Sequence, residues 1–208
     1  MPHTPDEMIV NALVRQALTS IQEVMGENGL NAVLRSSGLE KFVGNFPPND
    51  LTPSIQAAQY ARLNQAIEDF YGRGGRGMLR RIGKASFQYA VREQAALLGI
   101  AGVALKLLPE KQRIKFILNS TADALKKSNP QVEAWVEEAN GKITYHESTC
   151  AICHSRKSAE PICHLYVGSL TEAVHWATGH QYEIVETACM AKGDPDCRFE
   201  VGNVTAGD

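Results

Sequence analysis

Five cysteines, all between positions 150 and 197, are the residues whose type and spacing could do chemistry, and that chemistry is metal binding. The first 149 residues contain none. An odd, clustered set favours metal or redox chemistry over a disulfide framework. Zinc takes thiolate and imidazole donors, tolerates carboxylate, and prefers a tetrahedron. Glu186 and Cys189 stand three positions apart near what reads as a strand end, and Cys197 follows after seven intervening residues. A hairpin would bring Cys189 and Cys197 together, because both flank the turn containing Gly193-Asp-Pro-Asp196. Glu186 and Cys189 would face opposite sides of a regular strand, so a bulge or strand end has to lie between them. Cys163, near the first turn of the preceding helix, supplies a fourth donor if that helix packs on the hairpin.

Other readings of the cysteines stay open at this level. Cys150-Ala-Ile-Cys153-His154 has the C-x-x-C-H pattern of covalent haem attachment. The same pair could join Cys163 and a histidine around zinc. Several of the cysteines could also be plain small hydrophobes of a core.

The elements that must position these donors follow from periodicity. Ile9, Leu13, Ala17, Ile21 and Val24 recur at helical spacing, with Thr4 and Asp6 as N-cap oxygens. Gly26 and Gly29 are expected to break this helix, and a shorter one to run from Leu30 to about Ser36. Gly44 to Pro53 reads as a loop. A helix is expected from about Pro53 to Tyr71, and helical period resumes after Gly77 and continues to Leu108. Pro109 can open the next helix at its first position, with Ile114, Ile117, Leu118, Ala122 and Leu125 on the buried face. At Asn129-Pro130 the period changes to two: Val132, Ala134 and Val136 alternate, Asn140-Gly141 signals a hairpin, and Ile143 and Tyr145 alternate on the return. Pro161 to about Thr178 is helical and Gly179 closes it. Strands are expected over Tyr182–Cys189 and Cys197–Val201. Helices followed by ββαββ indicate an α+β fold with an antiparallel sheet.

Composition sets the outer bounds. The 208 residues are 44% hydrophobic and 21% charged, which is ordinary for a globular chain with a core. A net charge of -2 gives no electrostatic case for nucleic acid or an anionic membrane. The apolar run from Ala95 to Leu108 is too short to span a bilayer. The first seven residues lack the basic and apolar regions of a secretory signal, so a cytoplasmic location is expected.

Three stretches resemble the 4-vinyl reductase domain family: Cys163-His-Leu-Tyr-Val-Gly-Ser-Leu170, Gly179-His-Gln-Tyr-Glu-Ile-Val-Glu-Thr-Ala-Cys189, and Met190-Ala-Lys-Gly-Asp-Pro-Asp-Cys-Arg-Phe-Glu-Val201. That family includes bacteriochlorophyll 4-vinyl reductase proteins, archaeal hydrocarbon-binding proteins and the sensory domains of phenol- and xylene-responsive regulators. The resemblance covers about Gln131 to Val201. It extends more weakly over Tyr71 to Leu108, through Gly75-Arg-Gly-Met-Leu-Arg-Arg-Ile-Gly83. It implies a ligand-binding domain over 51–204, with the core motif at 131–201, while residues 1–50, which carry no such resemblance, read from their period as an N-terminal helical extension. It further implies a fold like the small subunits of vesicle-tethering complexes, commonly as a homodimer.

In the sensory members the matching positions hold zinc, which here fall on Cys163, Glu186, Cys189 and Cys197. Cys150 and Cys153 are not in the transferred set. Three thiolates and one carboxylate fill a tetrahedron and leave a charge of roughly -2, a poor Lewis acid with no open position. The implied zinc is therefore structural, and no catalytic residue is assigned.

The resemblance points to a hydrophobic or tetrapyrrole ligand, a chlorophyll precursor, in photosynthetic pigment metabolism. The chain would be its carrier, accessory or sensor, with no enzymatic step of its own. The alternatives are a 4-vinyl reductase enzyme, or a scaffold for assembly of a photosynthetic complex at the membrane periphery. A reductase needs a hydride source, and the sequence has no nicotinamide or flavin fingerprint. Arg80, among Arg76, Arg81 and Lys84, could pair with tetrapyrrole carboxylates, although a solvated helix face is the commoner role of such a run. Tyr166 and Trp176 could line an aromatic pocket, and His175 could reach a ligand. Core packing, and for the histidine a favourable helix C-terminus, are the plainer roles. His146, His154 and His164 are expected only to hydrogen-bond around the cysteines. Gly72 to Gly77 lacks the Lys-Ser/Thr of a phosphate loop and reads as a linker into a helix.

Overall fold

The computed structural model describes residues 7–95, 100 and 105–205. Thr4 and Asp6, the expected caps, lie outside these residues. Met8–Val10 is not the start of a helix but a strand (β1), paired antiparallel with β2, Pro53–Gln56. Ile9 and Ile55 face each other across this ladder and both are buried. Their burial holds Pro53–Gln56 extended, so the helix that follows begins later than its period suggests.

Helix α1 runs from Asn11 to Ser36. Gly26 breaks helical geometry as expected, at φ 74° and ψ 170°, so α1 consists of two helical runs joined across a kink. Only glycine takes that conformation without steric cost. Gly29 stays helical, and Leu30, Val33 and Leu34 carry the buried face onward. Helix α2, Ala57–Tyr71, begins with a reciprocal cap in which the Gln56 N–H donates to Gln59 Oε1 at 3.1 Å.

Gly72–Gly74 forms a single 3-10 turn and Gly75 opens α3, which ends at Gln94. This stretch is a packed corner rather than a loose linker, because a Cβ on Gly75 would lie 2.7 Å from the Glu68 Cα. Most of the expected continuation to Leu108 lies outside the described residues, and Leu105–Leu107 is a 3-10 turn. Pro109 stands just before α4, Glu110–Ser128, at the N-cap rather than at the first helical position.

The remaining chain forms β3 (Ala134–Ala139), β4 (Lys142–Glu147), α5 (His164–Thr178), β5 (Tyr182–Ala188) and β6 (Cys197–Val204). These strands form one antiparallel sheet in the order β3-β4-β6-β5. The fold is thus α+β, with the expected ββαββ order. Asn140 and Gly141 take φ of 52° and 79°, the left-handed pair that a two-residue hairpin needs.

Alternation puts Tyr145 and Glu147 of β4, Phe199 and Cys197 of β6, and Glu186 of β5 on the inner face. Helix α5 lies over that face, with the Tyr166 ring 5.3 Å from Phe199 and 5.8 Å from Tyr145. Arg113 of α4 donates to the carbonyls of Ala177 and Thr178, placing a cation at the negative end of α5.

Helices α3 and α5 cross at a pair of glycines. A Cβ on Gly83 would sit 2.0 Å from the Leu165 carbonyl oxygen, and one on Gly168 would sit 2.0 Å from that of Arg80. Backbone therefore touches backbone, and the side chains either side of the crossing close over what lies beneath.

Candidate metal centre and adjoining cavity

All five cysteines are buried and come together at one place. Cys163 precedes the first residue of α5, Cys189 follows β5, and Cys197 opens β6. The ladder between β5 and β6 shifts register between Glu186 and Ala188, and this irregularity brings Glu186 and Cys189 to the same side. Cys163, Glu186, Cys189 and Cys197 have donor atoms all within 4.8 Å of one another.

Cys150 and Cys153, which the resemblance leaves out, join the same cluster. With Cys163 and Cys197 they make a second four-donor set inside the same distance. Cys150 Sγ is 3.5 Å from Cys163 Sγ, and Cys153 Sγ is 3.5 Å from Cys197 Sγ. Both sulfurs thus face inward, where a haem vinyl group has no access. The fourth donor of this set is a cysteine, not a histidine.

The donors fit zinc. Tetrahedral Zn–S bonds place neighbouring sulfurs about 3.8 Å apart, and Cys163 lies 3.8 Å from Cys197 and 3.9 Å from Cys189. Glu186 Oε2 accepts the Cys163 N–H at 2.8 Å, while its buried Oε1 has no hydrogen-bond partner. A buried carboxylate oxygen without a partner is costly unless a cation takes it. Without a cation the donors cannot all ionise. Burial, then the Cys189 sulfur, pushes the Glu186 carboxyl up to about 9. Cys150 and Cys189 are held low by neighbouring thiols, foremost Cys153, whereas burial pushes Cys163 up. Loading a dication would discharge those protons.

The turn after β5 is built around the same atoms. The Met190 N–H points at Cys197 Sγ at 3.4 Å, and Asp194 Oδ2 accepts the Cys189 N–H at 2.8 Å. His146 bonds not to a cysteine but to Asp196 Oδ2, through Nδ1 at 2.6 Å, and stacks on Trp135. Ser155 Oγ bonds His154 Nδ1 at 2.9 Å.

Beside the cluster lies an apolar cavity of about 140 Å³, partly open, lined by residues of β1, α1, α2, α3, α4, β4, α5 and the Cys150–Cys153 loop. Ala151 and Ile152 of that loop wall it, as do Leu165 and Tyr166 of α5 and Phe87 and Ala90 of α3. Its polar lining includes Glu7, Glu147 and Tyr60, with no histidine, lysine or arginine among the described lining residues. Glu147 is 3% exposed and lies opposite Cys197 in the ladder. Burial, then the Cys150 sulfur, drives its carboxyl well above the usual range. The Tyr166 hydroxyl lies 3.3 Å from that of Tyr145.

The four residues singled out for ligand contact are scattered. Tyr166 lines the cavity. Arg80 is exposed on a separate open groove with Glu183 and Glu186. His175 sits near His180, with Nδ1 3.3 Å from its carbonyl oxygen, and Trp176 is exposed with an edge contact to Phe87. Glu7 and Glu147 carry no motif. Alternation toward the inner face is the one signal that could have marked Glu147.

Glu7 yields a pH prediction. Burial first, then the Cys150 sulfur, pushes its carboxyl from 4.5 up to about 7. The folded chain therefore keeps this proton through a range in which the unfolded chain has lost it. The contribution is complete below pH 4.5 and fades as pH rises through about 7. Glu7→Gln should flatten this slope, shrinking the loss of stability between pH 5 and pH 8 by on the order of 2 kcal/mol in urea melts. An unchanged slope would mean the carboxyl is solvated.

A family model for the 4-vinyl reductase domain matches residues 143–203, which include all six donors and the whole of α5. No curated protein matches the chain. Solved H-NOX structures share the fold at low identity. The Fe(II) unliganded H-NOX protein from K. algicida is 13% identical with a TM-score of 0.59, over 96% of this chain and 98% of that one. An H-NOX protein from S. oneidensis in the Fe(II)NO state is 12% identical with a TM-score of 0.58, over 92% and 99%. An oxygen-binding H-NOX domain related to soluble guanylate cyclases is 14% identical with a TM-score of 0.57, over 93% of each chain. No helix among the described residues is long and apolar enough to cross a membrane.

Proposed function

We propose that this chain is a small-molecule binding domain of sensor type, in which zinc on Cys163, Glu186, Cys189 and Cys197 holds the ligand cavity in shape. The observation that carries this reading is that cluster and cavity share their walls. Ala151 and Ile152 lie between two of the cysteines, Leu165 and Tyr166 follow a third, and Glu147 faces a fourth across the ladder. A metal that fixes those cysteines also fixes the cavity lining, which is the part of a clip rather than of a Lewis acid.

Size and chemistry narrow the ligand. The cavity of about 140 Å³ is close to the roughly 150 Å³ space that accepts benzene in an engineered protein core. Its walls are apolar, with the buried Glu147 carboxyl and the Tyr166 hydroxyl at one side. A single aromatic ring bearing a hydroxyl or amine fits that description. Phenol or a methylphenol at a hundredfold excess over Kd should stabilise the fold by about 2.7 kcal/mol, read as a rise in Tm. Ala90→Phe, which fills the cavity, should abolish the rise. A shift that survives Ala90→Phe would place the ligand elsewhere and sink the assignment.

A tetrapyrrole is the second reading, favoured by the likeness to H-NOX structures, one of them solved in work on haem redox potential and porphyrin distortion. It needs a cavity several times wider, since pockets for drug-sized ligands run to roughly 300–1,000 Å³. Titration with haem or a chlorophyllide, followed by the Soret band, separates the two. A role in photosynthetic pigment metabolism, a homodimer and an assembly partner rest on the family resemblance alone.

A further inference from the structure

We propose that the cluster holds two zinc ions rather than one, with Cys163 and Cys197 as sulfur bridges between them. The inference rests on the zinc reading above and extends it. Six donors converge: five thiol sulfurs and the Glu186 carboxylate. They fall into two four-donor sets, and the two sets share Cys163 and Cys197. One ion completes one set and leaves two buried donors idle, either Cys150 and Cys153 or Glu186 and Cys189. Two ions use all six. The first takes Cys150 and Cys153, the second takes Glu186 and Cys189, and the two shared sulfurs complete four bonds at each.

The distances suit this arrangement. The shared edge from Cys163 to Cys197 is 3.8 Å, and the edges leading from it to Cys150, Cys153 and Cys189 are 3.5, 3.5 and 3.9 Å. All are close to the sulfur spacing of about 3.8 Å around tetrahedral zinc. The unpartnered Glu186 Oε1 is the acceptor the second ion would take. Charge agrees as well. Five thiolates and one carboxylate against two dications leave about -2, the same as one ion with four anionic ligands. One ion facing six ionised donors would leave about -4 in a buried site, so two of those donors would have to stay protonated.

The test uses the full chain, produced with zinc and purified without chelator under nitrogen. Native mass spectrometry and elemental analysis should give two zinc ions per chain. The count should fall to one in Cys150→Ser/Cys153→Ser and to one in Glu186→Gln/Cys189→Ser. Cobalt(II) loading reads the bridge directly. The magnetic moment per cobalt should drop as the second equivalent binds, because ions sharing sulfurs couple. A constant moment overturns the bridge. One zinc per chain overturns the pair but leaves the single-ion clip standing, and the double variant that keeps this ion identifies its donors. No zinc at all overturns both readings. Should a variant fail to fold, the wild-type count and the cobalt titration still decide.

Discussion

Cys163→Ser should strip the chain of bound metal and lower its Tm by roughly 10–20 °C. Cys163 belongs to both donor sets, so no alternative quartet of the cluster survives its loss. It also stands at the start of α5, and its N–H is the partner of Glu186 Oε2. Serine keeps that N–H but removes the thiolate, so the metal tie between α5 and the β5–β6 hairpin is lost and buried thiols and an acid are left without a cation. Structural zinc contributes roughly 10–16 kcal/mol to peptides that have little other core. This chain has a large apolar core besides, so a smaller loss of about 5 kcal/mol is expected. At about 2–4 °C per kcal/mol for a chain of this size, the stated fall in Tm follows. Chelating the wild type should reproduce most of that fall. A variant that melts with the wild type, from a wild type that also carries no metal, would remove the clip.

The second large effect comes from one methyl group. Gly168→Ala should destabilise the fold by about 3 kcal/mol or more, although alanine is the better helix former by about 1 kcal/mol. The new Cβ would meet the Arg80 carbonyl oxygen at 2.0 Å and its carbon at 2.7 Å. These are backbone atoms of another helix and cannot swing aside as a side chain would. Helices α3 and α5 must separate instead, and Ser86, Phe87 and Ala90 on one side draw away from Leu165 and Ser169 on the other. The cavity between them opens as they do. Equilibrium urea melts measure the first effect, and loss of the ligand-induced Tm rise measures the second. Gly83→Ala, aimed at the Leu165 carbonyl oxygen from the opposite helix, should behave alike. A neutral or stabilised Gly168→Ala would mean that the helices lie farther apart.

Local order is legible where a single short-range rule dominates. The change of period at Asn129-Pro130 marks the passage from helices to sheet, and Asn140-Gly141 marks its first hairpin. The required irregularity between Glu186 and Cys189 follows from strand geometry alone, and the β5–β6 ladder has it. The departures share a cause. Met8–Val10 and Pro53–Gln56 have residues compatible with helix, and they are strands because each is the other's partner across the whole of α1. Gly26 does interrupt the helix as its local cost requires, and it is the buried face of Leu30, Val33 and Leu34 that sets a second run directly beyond the kink.

The amino-acid sequence by itself determined which donors were available, the α+β order of the chain, and the turns that close it. Those depend on residue type and on spacing within a few positions. Only the tertiary structure decided that Cys150 and Cys153 stand with the other three cysteines, that two glycines let α3 and α5 touch, and that a cavity forms against the cluster. Each of these joins residues distant in the chain, and spacing carries no information about distance once the chain has folded back on itself. The buried acids Glu7 and Glu147 belong to the same group. A glutamate is ordinary in sequence and becomes chemically distinct only where packing takes its water away.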